Sequence, residues 1–238
     1  MADTKLEVRV YPIAEPKGET KAFANVTFDD LVVIRGIRIA DGEKGLFVSM
    51  PQSLDKKTNK SYDTAFPIDG DLRKKLNVDV LGEYNRVIKL APEQRGYAKP
   101  DMEKINEINA ADIKFEIRVY PLNEPKGVLK AFASLSVEDI VAIRGIRVVD
   151  SEKKGLFVSM PQSQNKNGEY YDTAFPVNGE LRKLITEKIL DEYNAAEKTA
   201  ERKPTLAEGL RAGAAKAAEQ SAEPRESASK SSRIGVLE

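Results

Sequence analysis

An α+β fold built twice in one chain is what this sequence predicts, each unit an antiparallel β-sheet meander followed by a C-terminal α-helix. Two observations carry the expectation. The string GLFVSMPQS occurs at 45–53 and again at 155–163, and self-similarity at a fixed spacing marks a structural unit used more than once. Around each copy, apolar residues first alternate with a period of two and then recur about every four residues, which is the change from strand to helix.

The strands follow in order. Leu6, Val8 and Val10 alternate with Glu7, Arg9 and Tyr11, the pattern of a strand with one buried face, and Pro12 and Pro16 end it. Ala22, Ala24, Val26 and Phe28 alternate with Phe23, Asn25 and Thr27 in a second strand over 21–28. Asp29 and Asp30 turn the chain into LVVIRGIRIA, a Val- and Ile-rich third strand, and Asp41-Gly42 is a hairpin signal leading to a fourth over 46–50. Pro51 closes the ladder. From Asp71 the period changes, and Leu72, Leu76, Val80, Tyr84 and Ile88 form the stripe of one amphipathic helix with Asp69 as N-cap. That stripe covers the open face of the sheet.

Laid over the first unit, the second repeats nearly every feature. LEVRVYPIAEPKG from Leu6 matches FEIRVYPLNEPKG from Phe115, and YDTAFPIDGDLRK from Tyr62 matches YDTAFPVNGELRK from Tyr171. The second copy carries one extra lysine in its Asp-Ser-Glu-Lys-Lys segment, which marks a loop tip. The domain reading is a first unit over 6–88, a linker over 89–114, a second unit over 115–197 and a disordered Ala-, Ser-, Glu- and Lys-rich tail over 198–238. Within the linker a short helix is expected over 101–109, and within the tail a transient one over 206–219. A unit of about 80 residues buries a low fraction of its surface and leaves strand edges unpaired. Two units on one chain face each other at an effective concentration of about millimolar, so they are expected to pair as an intramolecular pseudo-dimer with one continuous sheet.

Composition removes several function classes. Among 238 residues there is neither cysteine nor histidine, so disulfides, thiolate sites and the Ser-His-Asp triad are excluded, and Ser49 and Ser159 have no histidine to activate them. No cofactor, metal, catalysis or small-molecule substrate is expected. Asp29-Asp30 and Glu138-Asp139 read as turn residues more readily than as acid–base pairs. The N-terminus has no signal-peptide pattern and no apolar run approaches a membrane span, so a cytoplasmic protein without membrane contact is expected. The chain has 38 basic and 38 acidic residues, and neither unit is basic: 14 against 13 over 6–89, and 12 against 13 over 115–198. A nucleic-acid partner therefore needs a local cationic patch, and its binding is expected to be weak and salt-sensitive.

With these residues in view, IRIADGEKGLFVSMPQS followed by YDTAFPIDGDLRKKL resembles the stage V sporulation protein G family, the bacterial septation proteins, and the resemblance covers both units almost end to end. It implies a small β-rich fold with a C-terminal helix that dimerises through its sheets. It also implies a regulator of septation, sporulation or virulence-type gene expression that binds DNA or RNA, and it implies no catalysis. In the family a basic pair follows the MPS segment; here Leu54-Asp55 and Gln164-Asn165 stand in its place, and the histidine before the matching proline becomes Phe66 and Phe175. Arg73 and Arg182 survive at the helix starts beside Lys74 and Lys183, with Lys56, Lys57, Lys60 and Lys166 in the loops.

Two further features bear on nucleic acid. Arg35 and Arg38, and their twins Arg144 and Arg147, stand three apart and would face opposite sides of a regular strand; a bulge at the intervening glycine brings each pair together into a phosphate-reading patch. The alternative is that they pair with carboxylates on neighbouring strands. Tyr62, Tyr170 and Tyr171 lie in loops beside lysines, where they either stack unpaired bases or cover the core edge. The rival to nucleic-acid binding is a protein-interaction module that kept the fold and lost the cationic surface.

Overall fold

The computed structural model describes residues 4–55, 58–91, 94–95, 109–122 and 127–202. Among the described residues each copy contributes seven strands and a helix. The first holds β1 (Leu6–Pro12), β2 (Thr20–Phe28), β3 (Val32–Gly42), β4 (Gly45–Ser49), β5 (Gln52–Asp55), β6 (Lys60–Asp63), β7 (Ala65–Pro67) and α1 (Gly70–Val87). The second holds β8 (Phe115–Pro121), β9 (Leu129–Val137), β10 (Val141–Ser151), β11 (Gly155–Ser159), β12 (Gln162–Gln164), β13 (Tyr170–Asp172), β14 (Ala174–Pro176) and α2 (Gly179–Arg202).

The expected pairing of the two copies is present, but its form differs from one continuous sheet. There are two five-stranded sheets, and each borrows a strand. In the first, β1, β2 and β3 are joined by β4 and by β14 of the second copy; in the other, β8, β9 and β10 are joined by β11 and by β7 of the first. Ala174 and Pro176 face Ile34 and Val32, and reciprocally Ala65 and Pro67 face Ile143 and Val141. A three-residue strand ending in proline belongs at a sheet edge, where its missing N–H breaks no ladder. The exchange is extended by the backbone bonds Val177 N–H to Leu31 O and Ile68 N–H to Ile140 O, both 2.9 Å. Phe28, Leu31 and Val32 meet Val137, Ile140 and Val141 at the seam between the copies, and one apolar core runs through both.

The hairpin β5–β6 and its twin β12–β13 were not foreseen beyond Pro51 and its counterpart. Each is short and polar, and each is tied down by the threonine that follows it. Thr64 and Thr173 are buried, and in each the backbone N–H and the hydroxyl both donate to one proline carbonyl, Pro51 or Pro161.

Asp69 caps α1 as expected, its carboxylate accepting from the N–H groups of Asp71 and Leu72. Asn178 does the same for α2, accepting from Glu180 and Leu181. Leu76, Val80 and Val87 are buried in α1, whereas Ile88 is 43% exposed. The expected four-residue stripe drifts against the 3.6-residue turn, so after four repeats Val87 has rotated into the core and Ile88 out of it. On α2 the buried row is Leu181, Ile185, Ile189 and Tyr193, and each fully buried aliphatic side chain stabilises the fold by about 1.5–3 kcal/mol. α1 packs on β1 and β4 of its own copy.

Both copies lie in one contact unit, Met1–Glu197, and Lys198–Glu238 forms a second, whose described residues end at Arg202. The first residues assigned to a disordered tail are therefore helical, as the end of α2. The expected linker helix over 101–109 lies outside the described residues except for Asn109, which caps a 3₁₀ turn that follows it, Ala110–Asp112. The expected helix over 206–219 lies outside the described residues. Among the described residues no helix is long and apolar enough to cross a membrane.

Candidate nucleic-acid interface

The central strand of each sheet carries the site. On β3 the inward residues are Val32 and Ile34 before Gly36, then Ile37 and Ile39 after it. One residue has been inserted: Val26 faces Ile34 while Ala24 faces Ile37, so Arg35 and Gly36 together oppose Asn25. Gly36 takes φ +76°, a conformation that costs a side-chain-bearing residue about 1–2 kcal/mol. The extra residue resets the alternation, and Arg35 and Arg38 both emerge on the face away from the core, exposed. β10 repeats the bulge at Gly145, φ +75°, with Arg144 exposed and Arg147 half-buried on the same outer face.

Among the described residues, none of these four arginines has a carboxylate partner. The expected alternative, pairing with acids on neighbouring strands, is therefore not what the fold provides. Arg35 lies over the Phe175 ring with its guanidinium carbon 4.5 Å from the centroid, and Arg144 over Phe66 at 4.8 Å. Each ring sits on the strand lent by the other copy. Arg38 donates to Ser49 Oγ at 3.3 Å; Arg147 donates to Ser159 Oγ at 3.4 Å and also to Gln162 Oε1 at 3.2 Å. Neutral partners and π-faces orient a guanidinium without cancelling its charge.

A groove of about 770 Å³ runs over this face of the first sheet. Arg35, Gly36 and Arg38 line it with Phe23 and Asn25 of β2, and the β5–β6 hairpin borders it. The second copy closes it with Tyr171 and the β12–β13 loop, Lys166 included. The groove is thus built from both copies. Of the three tyrosines singled out from sequence, Tyr171 lies here, Tyr62 takes the equivalent place near Gly145, and Tyr170 is 69% exposed.

The helix-start cations are placed differently. Arg73 Nη2 is 3.0 Å from Asp63 Oδ2, whose other oxygen accepts from Gln52 Nε2 at 3.0 Å. Arg182, Asp172 and Gln162 repeat that chain at 2.8 and 3.0 Å. These arginines clamp a hairpin to a helix. Lys74 pairs with Asp71 at 2.7 Å, and that contact raises the lysine and lowers the aspartate from their ordinary pKa values; Lys183 lies 4.0 Å from Glu187. Lys60 starts β6, opposite Asp55, and does not line the groove. Lys56 and Lys57 lie outside the described residues.

Asp29 and Asp30 serve the fold. Both have positive φ in a two-residue turn closed by Leu31 N–H to Phe28 O, and they hold Lys5 through its backbone N–H and its ammonium. Glu138 and Asp139 hold Lys114 in the same way. Among the described residues no group of three or more acidic side chains is arranged to hold a metal ion. Sequence reasoning missed Phe23, Asn25 and the platform rings Phe66 and Phe175. For the first two the signal was available, because both occupy outward positions of β2 across from the arginines.

Fold and groove together define a class: a tandem α+β protein whose copies exchange strands and display paired arginines on the outer faces of their sheets. A family model for SpoVG matches residues 4–86 and again residues 113–195. The chain belongs to the SpoVG family and carries its unit twice. It is 38% identical over 79 residues to a relative from Anaeromyxobacter sp. strain Fw109-5 that bears the septation-protein name SpoVG, covering 33% of this chain and 78% of that one. A relative of the same name from Archaeoglobus fulgidus is 38% identical over 82 residues, covering 34% and 94%. Another, from Agathobacter rectalis, is 39% identical over 70 residues, covering 29% and 79%.

Proposed function

We propose that this chain is a non-catalytic cytoplasmic regulator of the septation or sporulation type that binds DNA or RNA. The observation that supports this reading is the set of four arginines on the two sheets, turned outward by a bulge in each and without a carboxylate partner among the described residues. Arg35, Arg38, Arg144 and Arg147 take the phosphates, with Lys166 at the rim of the first groove. Arg73, Lys74, Arg182 and Lys183, already engaged by acids, contribute structure more than affinity. Few phosphates are neutralised, so binding is weak and steeply salt-dependent.

The test is a titration of the full chain with single-stranded RNA and with duplex DNA at low and moderate salt. Binding at low salt is expected, with log K falling by about 0.7 per neutralised phosphate of a single strand for each tenfold rise in salt. Replacing Arg35 and Arg38 together by glutamine should reduce that slope by about 1.4. No binding at low salt removes this function. The electroneutral copies and the clamped helix-start arginines favour a second reading, a protein-interaction module; a defined protein partner retained after nuclease treatment supports it.

A further inference from the structure

We infer that the groove over β2 and β3 is a composite site for one or two unpaired nucleotides, with phosphate held by Arg35 and Arg38 of the first copy and a base stacked on Tyr171 of the second. This rests on the nucleic-acid reading and goes further by assigning the site, its two-copy construction and the state of the base.

The groove combines three kinds of group that a phosphate-only surface does not need. Two guanidiniums with no acidic partner among the described residues supply the anion site. Beside them, Phe23 is 38% exposed and Tyr171 half-buried, and such rings gain from an unpaired base, whose faces are free, and not from a duplex, whose bases already stack on each other. Asn25 lines the same groove across from Arg35 and Gly36; its amide hydrogen-bonds none of the described residues and carries both a donor and an acceptor for a base edge. A volume of about 770 Å³ is in the range of pockets for drug-sized ligands, enough for a nucleotide or two.

The two copies are not equivalent here. Asn25 stands across from Arg9 in the first sheet, and its counterpart across from Arg118 is Ser134, which has no amide. Arg147 is also held by Gln162, whereas the described contact of Arg38 is the single bond to Ser49. Divergence after duplication has therefore left one groove better equipped to read a base.

The full chain is titrated with a short fluorescein-labelled single-stranded RNA, with the same RNA annealed to its complement, and with adenosine monophosphate as competitor. The single strand is expected to bind more tightly than the duplex. Arg38→Gln and Tyr171→Ala should each weaken it about tenfold, Tyr171→Phe should retain it, and the two losses should be non-additive although the residues lie in different copies. Asn25→Ser, the residue found in the second copy, provides a further loss in a variant whose fold is untouched if Tyr171→Ala unfolds. Displacement by adenosine monophosphate assigns the site to free nucleotides, and its failure to displace assigns the site to a strand; both support nucleotide chemistry. Equal binding of single strand and duplex, or wild-type affinity in folded Arg38→Gln and Asn25→Ser, overturns the inference while leaving nucleic-acid binding in place. Absence of any binding by the wild-type chain at low salt overturns the proposed function and this site with it.

Discussion

Gly36 and Gly145 do the same work in the two copies but tolerate a side chain differently. Both hold φ near +75°, so alanine at either costs about 1–2 kcal/mol from backbone strain alone. A Cβ on Gly36 would also stand 3.3 Å from Tyr171 Oη, tighter than ordinary van der Waals contact, whereas on Gly145 the nearest atom is Tyr62 Oη at a comfortable 3.9 Å. Gly36→Ala should therefore destabilise more than Gly145→Ala in urea unfolding at unchanged m value. Equal losses would show that Tyr171 yields freely and is not held against the bulge. The same comparison explains what a glycine between two arginines says in sequence. Its freedom predicts that Arg35 and Arg38 converge, but that neither has a carboxylate partner among the described residues depends on register across three strands, one of them from the other copy.

Elements differ in how far they could be read from the chain. β1 to β4 and α1 were legible because each makes its contacts with near neighbours in sequence: the alternation over β2, the turn at Asp29-Asp30, the cap at Asp69. β7 and β14 were not, because three residues carry too little periodicity and their partners lie in the other copy. Arg73 and Arg182 misled for a related reason: a basic residue at a helix start reads as free until the hairpin brings Asp63 or Asp172 beside it. α2 carries a feature of its own. The Tyr193 ring is buried, 4% exposed, and its hydroxyl hydrogen-bonds Glu197. Burial first, and then that bond and the charge of Glu197, push the phenol above its ordinary pKa of 10.0. A raised folded-state value means the unfolded chain releases this proton first, so the contribution is complete below pH 10.0 and is lost as pH rises further. The stability advantage of wild type over Tyr193→Phe should hold steady below that value and narrow above it, followed by thermal unfolding in alkaline buffers. A constant gap would mean that the buried phenol does not govern this stretch of α2.

At the scale of the whole molecule, the exchanged strands make the copies depend on each other, and the covalent connection sets how strongly. Each sheet lacks its fifth strand without the other copy, and Arg35 and Arg144 lose the rings they stack on. Neither half is then expected to be a finished domain. In the intact chain the partner is always present at about millimolar effective concentration. A protease site placed within 96–108 separates that covalent effect from the contacts themselves. After cleavage the halves should still co-elute, because the strand exchange and the apolar seam remain. Their unfolding midpoint should now depend on protein concentration, which that of the intact chain should not, and at about micromolar protein the cut form should be less stable by about 4 kcal/mol. Two separately eluting, folded halves would show instead that each copy closes its own sheet, and the groove shared by Arg38 and Tyr171 would then have no single molecule to belong to.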